Sequence, residues 1–281
     1  MTPPPAVSVL MPVLNPHPVY FPEAVASIIG QTFTDWELVI VEDPSPSSAA
    51  ELLKRFDDPR IRLITNPNRT SFAGQLNQGI GECRADLLAR MDADDIANPT
   101  RLAKQVSFLG STPDVSVVGC QLSIIDQAGA EIGSRKYPTT YEAILRMMPR
   151  YNAIPHPGVA ARTDAILRQG GYGFKWPLED YDLWSRMLIA GERFANIDEP
   201  LVQYRVHPQS GSKSRQLRET LRYTLEVKRT HWWKRMTWRD RLRYRAEQVL
   251  LSLPPHWVLF AFKLVTYRRT SGASAVSENT K

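Results

Sequence analysis

Three acidic residues, Asp92, Asp94 and Asp95, fall within four positions directly after the apolar run at 87–89. Clustered carboxylates repel each other unless a cation neutralises them, and their oxygens suit Mg²⁺ or Mn²⁺. Open α/β sheets bind ligands where their strands end, so the cluster predicts a metal-diphosphate site. An acidic turn that caps the next helix, ahead of Pro99, is the plainer interpretation.

Two further strand ends carry polar groups. Pro12 lies near the end of the first apolar run and Asn15 follows it, and Glu42 and Asp43 follow the second run. Acids at separate strand ends could have different roles, because one can hydrogen-bond a base or ribose while the other holds a metal on a diphosphate. No G-x-G-x-x-G or Walker-type loop is present, which argues against dinucleotide oxidoreductases and P-loop enzymes.

The elements that must position these acids alternate through the first 125 residues. Apolar runs predict strands at 7–13, 36–41, 61–65 and 87–90, with helices near 22–29, 48–56, 71–79 and 99–109. Strands separated by single helices favour right-handed crossovers. We therefore expect an α/β fold with a mainly parallel central sheet flanked by helices.

Composition sets broad limits on the protein. A chain of 281 residues with 43% hydrophobic content can form one large domain, or one domain with an appendage. Cys83 and Cys120 are too few for a disulfide framework, so a reducing cytosol is expected. The first apolar run has no basic residue before it and is broken by Pro12, which does not fit a signal peptide.

The net charge of +6 is unevenly distributed. Residues 1–212 carry 19 Lys and Arg against 24 Asp and Glu, whereas 213–281 carry 16 against 5. The basic character therefore belongs to the C-terminal tail.

Eight blocks of sequence, in one order along the chain, resemble those of family 2 glycosyltransferases. They read VSVLMPVLN at 7–15, SIIGQTFTDWELVIVED at 27–43, NQGI at 77–80, RMDADDIANPTRL at 90–102, HPGV at 156–159, GGY at 170–172, EDYDLW at 179–184 and YRVH at 204–207. This resemblance covers about residues 6–212. It implies a GT-A nucleotide-diphospho-sugar transferase fold and inverting transfer of a sugar to an acceptor hydroxyl, as in bacterial cell-surface polysaccharide biosynthesis.

The resemblance also implies roles for individual residues. Asp43 would contact the nucleoside base, Asp92 the ribose or metal, and Asp94 the metal that bridges the diphosphate. His207 would approach the metal or diphosphate. The implied nucleotide-sugar-binding set is completed by Pro12, Asn15 and Arg205. The donor would be a UDP-, GDP- or dTDP-linked sugar, and the cofactor Mg²⁺ or Mn²⁺.

The pair Glu179 and Asp180 supplies candidates for the general base that the reaction needs. A hydroxyl is a poor nucleophile, so a carboxylate must take its proton as it attacks. By resemblance Asp180 is the base and Glu179 supports it. Both acids also suit the start of the helix predicted at 181–190, because carboxylates favour the N-terminal dipole.

Two residues are predicted on the acceptor side. His156 belongs to the resembling HPG block, although its neighbouring prolines shape the backbone there equally well. Trp176 lies in a Gly-rich segment and could stack on a sugar ring, with packing within its loop as the alternative.

The tail at 213–281 is predicted to be a basic amphipathic helical extension. From 216 to 248 it lacks Gly and Pro, and an apolar stretch with two prolines, a His and a Lys follows at 249–265. Basic, Trp-bearing amphipathic helices favour anionic membrane surfaces, and the interruptions argue against a spanning helix. A helix packed on the catalytic domain and a dimer contact are the alternatives.

These observations predict a GT-A catalytic domain at 1–212, with nucleotide-sugar binding at about 6–125 and the acceptor side at about 126–212, able to fold without its tail. We expect a metal-dependent glycosyltransferase, peripheral on the cytoplasmic face of the plasma membrane, with a saccharide or lipid-linked saccharide acceptor. A sugar-1-phosphate nucleotidyltransferase is the alternative enzyme. A nucleic-acid-binding protein led by the basic tail is the alternative class, disfavoured by the acidic first 212 residues.

Overall fold

The computed structural model describes residues 3–173, 177–207 and 214–252, and at 214–217 it describes the backbone alone. Its strands are β1 (Val7–Val13), β2 (Trp36–Glu42), β3 (Ile61–Thr65), β4 (Leu87–Arg90), β5 (Ile96–Ala97), β6 (Val115–Ile125), β7 (Glu131–Arg135), β8 (Ala160–Arg162) and β9 (Arg193–Arg205). Its helices are α1 (Tyr20–Ile29), α2 (Ala49–Leu53), α3 (Phe72–Glu82), α4 (Arg101–Ser111), α5 (Tyr141–Met147), α6 (Thr163–Arg168), α7 (Glu179–Ile189), α8 (Ser214–Val227) and α9 (Trp238–Ser252). Short 3₁₀ turns lie at His156–Gly158 and Trp233–Arg235, and a π-helical turn at Lys228–Trp232.

One central sheet runs through the protein in the order β3-β2-β1-β4-β8-β6-β9-β5, and β7 pairs with β6. β1 is parallel to β2 and β4, and β2 is parallel to β3, so the first half has the predicted parallel arrangement. The second half is mixed, because β8 runs antiparallel to both β4 and β6, whereas β6 and β9 are parallel. The predicted α/β fold is confirmed.

Alternate residues of β1 face two different hydrophobic layers, as the period of a strand requires. Val9 and Met11 share a cluster with apolar residues of α1 and α4. Leu10, between them, shares a cluster with residues of α3 and α7. All seven residues of β1 are buried, which is why a near-continuous apolar run encodes this strand.

The described part of the tail packs on the same core. Leu225, Trp232, Met236 and Tyr244 are buried in one hydrophobic cluster with Trp184 of α7. Among the described residues, the boundary at 212 therefore separates regions of different charge but not separate cores. These contacts agree with the alternative in which the tail is a helix packed on the catalytic domain. None of the helices in the described ranges is long and apolar enough to cross a bilayer.

Candidate active site

A cavity of about 630 Å³ opens at the carboxyl ends of β1 and β4, where the strand ends predicted a ligand site. It is lined by Pro12, Leu14, Asn15, Pro16, His17, Tyr20, Phe72, Gln75, Asp92, Ala93, Asp94, Gln127 and His207. The structure thus brings together five predicted site residues, namely Pro12, Asn15, Asp92, Asp94 and His207.

The acidic cluster forms one wall of this cavity. Asp92, Asp94 and Asp95 each place a carboxylate oxygen within 4.8 Å of the others. Asp95 is fully buried, and one of its oxygens accepts a hydrogen bond from the backbone N–H of Arg205 at 2.9 Å. Its other oxygen has no hydrogen-bond partner in the described parts of the chain. Burial, with the charges of the other two acids, raises the pKa of Asp95 well above its ordinary value.

This arrangement fits a divalent cation. An unpartnered buried carboxylate oxygen beside two further carboxylates is costly without a positive charge. The side chains of Asp94 and His207 are 37% and 28% exposed, and Nε2 of His207 lies 2.8 Å from Oδ2 of Asp94. Oxygen-rich groups with an adjacent imidazole, open on one side, are the ligands such a cation needs.

Arg90 is a site residue that the sequence analysis did not single out. It is 3% exposed, and its two terminal nitrogens donate to both carboxylate oxygens of Asp92. Burial opposes its charge, but the carboxylate of Asp92 nevertheless raises the pKa of Arg90. Burial raises the pKa values of Asp180 and Glu179, and the charge of Arg90 partly opposes that rise, so one cation acts on both acidic groups. The sequence did offer a signal for this role. Arg90 precedes three acids at the end of an apolar strand, and a buried Arg needs an acidic partner.

Gln75 is a second residue that the sequence analysis missed. Its side-chain amide donates to the carbonyl of Val13 at 2.8 Å and to that of Val41 at 3.2 Å. It therefore ties the ends of β1 and β2 together beside the cavity. Nothing in its residue type or spacing signalled this role.

Asp43 lies at the end of β2, with its carboxylate held by a neighbouring loop. It accepts hydrogen bonds from Asn66 Nδ2 at 2.8 Å and from the backbone N–H of Thr70 at 2.7 Å. It is 2% exposed and does not line the cavity. Its implied contact with a nucleoside base stays a prediction. In the structure, Asp43 holds the loop at 66–70 in position.

Arg205 also lies behind the cavity wall. Its side chain is 1% exposed and forms an ion pair with Glu23 at 2.7 Å. Its Nε donates to the backbone carbonyl of Asp94 at 2.9 Å, and Nη1 donates to the carbonyls of Asp126 and Gln127 at 3.3 Å. Since these groups occupy the guanidinium, Arg205 positions the acidic turn, and direct contact with a nucleotide sugar stays a prediction.

The second acidic group begins α7. Asn152 Nδ2 and the backbone N–H of Tyr181 each donate to the Asp180 carboxylate at 2.7 Å. Burial raises the pKa of Asp180 to about 6, although these hydrogen bonds oppose it. Burial, with the neighbouring charge of Asp180, raises the pKa of Glu179 to about 8. At neutral pH the pair therefore holds one ionised and one protonated carboxyl, the arrangement of an acid–base site.

The acceptor-side predictions have different outcomes. His156 is 8% exposed, its Nε2 lies 3.0 Å from the hydroxyl of Tyr172, and the rings of Phe72 and Trp184 flank it. Burial lowers the pKa of His156 well below its ordinary value, so the ring is neutral in this aromatic cluster. A direct contact with an acceptor stays a prediction. Trp176 lies outside the described residues.

The loop beside His156 is fixed by a reciprocal pair of hydrogen bonds. Asn77 accepts from the backbone N–H of Tyr172 at 2.8 Å and donates to its carbonyl at 2.9 Å. Gly171 has φ of +72°, and a Cβ there would lie 2.5 Å from the Asn77 side-chain oxygen. The paired blocks NQGI and GGY thus meet, although they are far apart in sequence.

The sheet topology, with the acidic cluster and the cavity at the ends of its parallel strands, is that of the GT-A fold. The family model described as Glycosyl transferase family 2 matches residues 8–171, which is more than half of the chain. The chain belongs to that family and is a glycosyltransferase. The family match favours a glycosyltransferase over the alternative of a sugar-1-phosphate nucleotidyltransferase.

Relatives from bacteria support this assignment. The O-antigen biosynthesis glycosyltransferase WbnJ of Escherichia coli is 35% identical over 214 residues, which cover 74% of this chain and 82% of WbnJ. A second Escherichia coli relative, UDP-Gal:alpha-D-GlcNAc-diphosphoundecaprenol beta-1,3-galactosyltransferase, is 29% identical over 214 residues, or 74% of this chain and 77% of its own.

Solved structures share the fold at low sequence identity. Residues 1–349 of TarS from S. aureus, in complex with UDP-GlcNAc, match with a TM-score of 0.63 and 15% identity over 79% of this chain and 66% of that one. The mannosyltransferase PcManGT from Pyrobaculum calidifontis, in complex with GDP-Man and Mn²⁺, matches with a TM-score of 0.60 and 18% identity over 97% of this chain and 77% of that one.

Proposed function

We propose that the protein is a metal-dependent, inverting glycosyltransferase that moves a sugar from a nucleotide-diphosphate donor to the hydroxyl of a lipid-linked saccharide in surface polysaccharide assembly. One observation supports this proposal: two acidic groups with different chemical properties both interact with the charge of Arg90. The cluster of Asp92, Asp94 and Asp95 can hold a cation, whereas Asp180 has a pKa of about 6 and can accept a proton. These are the two functions that metal-assisted sugar transfer combines.

The base chemistry follows from the pKa values of the α7 pair. Asp180 is ionised at neutral pH, so it takes the proton of the acceptor hydroxyl while that oxygen attacks the anomeric carbon. The bond from this carbon to the diphosphate breaks on the opposite face, which inverts the configuration. Glu179, with a pKa of about 8, keeps its proton and supports the site without competing as a base.

The acidic cluster would hold Mg²⁺ or Mn²⁺ through Asp94 and Asp92, with His207 beside them. The cation would neutralise charge on the diphosphate leaving group. Arg205 would keep the acidic turn in register for this purpose, since it binds the carbonyl of Asp94. Pro12 and Asn15 would contact the donor from the neighbouring strand end, that of β1. Asp43 would act on the nucleoside base of the donor through the loop at 66–70, which its carboxylate holds in place.

The nature of the acceptor and the location are inferred from a relative. One similar protein is named as acting on a sugar linked to diphosphoundecaprenol. An acceptor of that kind is anchored in a bilayer, so we place this protein at the cytoplasmic face of the plasma membrane. Its basic tail would supply the attraction to anionic lipid.

Screening of nucleotide sugars tests the proposal. The full chain is melted with UDP-, GDP- and dTDP-linked sugars, each with and without Mn²⁺, because a ligand of the native state raises its stability. We expect one donor to raise the melting temperature only with the metal, and to be consumed with release of nucleoside diphosphate when a polyprenyl-diphosphate saccharide is added. Release of pyrophosphate would contradict the proposal, and so would a product with retained anomeric configuration.

A further inference from the structure

A second cavity, of about 470 Å³, lies in the tail between the turn at Lys228–Trp232 and α9. It is lined by Arg229, Trp233, Tyr244, Arg245 and Gln248. Among the described residues, the side chains of Arg229 and Arg245 form no hydrogen bond or ion pair. Two guanidinium groups without a carboxylate partner, beside two aromatic rings, form a site for a phosphate-bearing ligand.

The outer face of α9 beside this cavity is apolar. Trp238, Leu242 and Val249 are 70%, 64% and 61% exposed, and their spacing places them on one side of the helix. Asp240 and Tyr244, on the opposite side, are buried against the protein. The helix therefore has one buried side and carries an apolar stripe on its exposed side.

Arginines border the outward face. Arg239, Arg241 and Arg245 are exposed, and the Arg241 guanidinium lies 5.2 Å from the centre of the Trp233 ring. The sequence continues after Ser252 with an apolar, Trp-bearing run at 253–265. An apolar stripe edged by Arg and followed by apolar chain is complementary to the interface of an anionic bilayer, where Trp and Leu enter the headgroup region.

We propose that α9 docks on an anionic lipid bilayer through Trp238, Leu242 and Val249, and that the cavity between Arg229 and Arg245 receives the phosphate of an anionic lipid. This inference deepens the proposed membrane location and rests on it. Its readout is vesicle binding, which requires no sugar transfer. A protein that binds vesicles but transfers no sugar would therefore contradict the proposed function and leave the docking surface intact.

The test is sedimentation of the full chain with phosphatidylcholine vesicles, with and without phosphatidylglycerol. We expect binding only when phosphatidylglycerol is present. The double variant Arg229→Gln/Arg245→Gln should lower the partition coefficient about 30-fold, since each Arg near an anionic surface contributes about fivefold. The Lys/Lys double variant should retain most of the binding, because it keeps both charges.

A matched control removes the same charge elsewhere. Arg55 and Lys136 are exposed, and neither forms an ion pair with a described residue. The Arg55→Gln/Lys136→Gln variant should bind within about threefold of wild type, since neither residue lines the cavity or lies on α9. Equal loss of binding in both double variants would contradict a specific cavity.

The apolar stripe has its own variant, Trp238→Ser/Leu242→Ser. It should bind phosphatidylglycerol vesicles at least about tenfold more weakly, because two apolar side chains no longer enter the interface. Its melting temperature should match wild type, since both positions are exposed. Indifference of the wild type to phosphatidylglycerol would overturn the proposal. A wild-type dimer that this variant converts to monomer, without vesicle binding, would instead assign the stripe to a second copy of the chain.

Discussion

The indole N–H of Trp232 donates a hydrogen bond to the hydroxyl of Ser185 at 2.8 Å, and both side chains are fully buried. Ser185 lies on α7, the helix that begins with the proposed base Asp180. A second link is adjacent, where Nε2 of His231 lies 3.0 Å from a carboxylate oxygen of Asp182. The tail is thus fastened to the helix that carries the acid–base pair.

This link predicts that the tail stabilises the catalytic fold. Trp232→Ala should lower the free energy of unfolding by about 3–5 kcal/mol, since it opens a cavity and leaves a buried hydroxyl without its partner. Trp238→Ala is the matched control, because that Trp is 70% exposed, and it should change stability by less than about 0.5 kcal/mol. Both are measured by urea denaturation. Equal stabilities of the two variants would show that the contact between Trp232 and α7 does not stabilise the fold.

Asp180→Asn should abolish the base while leaving donor binding intact. Turnover is expected to fall ~10²–10⁴-fold with nearly unchanged donor affinity, because the amide is close in shape but cannot accept the proton. In the wild type, turnover should fall as the pH decreases through about 6, where Asp180 is protonated. Steady-state kinetics and donor titration separate the effects. Collapse of donor affinity with normal turnover at saturation would make Asp180 a binding residue.

Glu179 predicts a pH dependence of stability. Its pKa is about 8 in the folded protein against 4.5 ordinarily, so between these values the folded state holds a proton that the unfolded chain releases. The contribution of Glu179 to stability is therefore fully present below about pH 4.5 and is lost as the pH rises through 8. Glu179→Gln should reduce this loss, as measured by denaturation at pH 5 and pH 9. Exposed Glu142→Gln is the control, and identical pH profiles for all three proteins would refute the assignment.

Arg205 is expected to act on the metal site indirectly. Arg205→Gln should weaken the activation by Mn²⁺ about 10–100-fold, the usual effect of removing a group that orients ligands. The control Glu23→Gln removes the ion pair but keeps the contact of Arg205 with the Asp94 carbonyl, so it should shift the Mn²⁺ dependence far less. Loss of affinity for the nucleoside alone, with normal Mn²⁺ dependence, would support the direct donor contact that the sequence predicted.

Local sequence was sufficient to predict the parallel half of the sheet. The strands at 7–13, 61–65 and 87–90 have the predicted bounds, because continuous apolar runs between turn residues encode buried strands. The antiparallel strand β8 spans only Ala160–Arg162 and has no such run. Its place between β4 and β6 depends on pairing between distant segments, which no local pattern specifies.

The same distinction applies to the candidate site. Acids at strand ends were predictable because the fold brings those ends to one edge of the sheet. The surroundings of Arg205 and His156 were not, since their partners Glu23 and Tyr172 come from other elements. Helical spacing predicted a helical tail, but the burial of Trp232 depends on a partner that is 47 positions away in sequence.

The most direct test of metal-dependent sugar transfer at this site is the transfer rate of Asp94→Asn over a titration of Mn²⁺. With the donor found by screening and a lipid-linked acceptor, wild type should require the metal and stop in chelator. Asp94→Asn should lose transfer at every Mn²⁺ concentration, since a neutral amide cannot replace a hard anionic ligand. The surface control Asp164→Asn, whose side chain is 69% exposed, should match wild type. A folded Asp94→Asn protein with wild-type transfer and unchanged Mn²⁺ dependence would contradict the account.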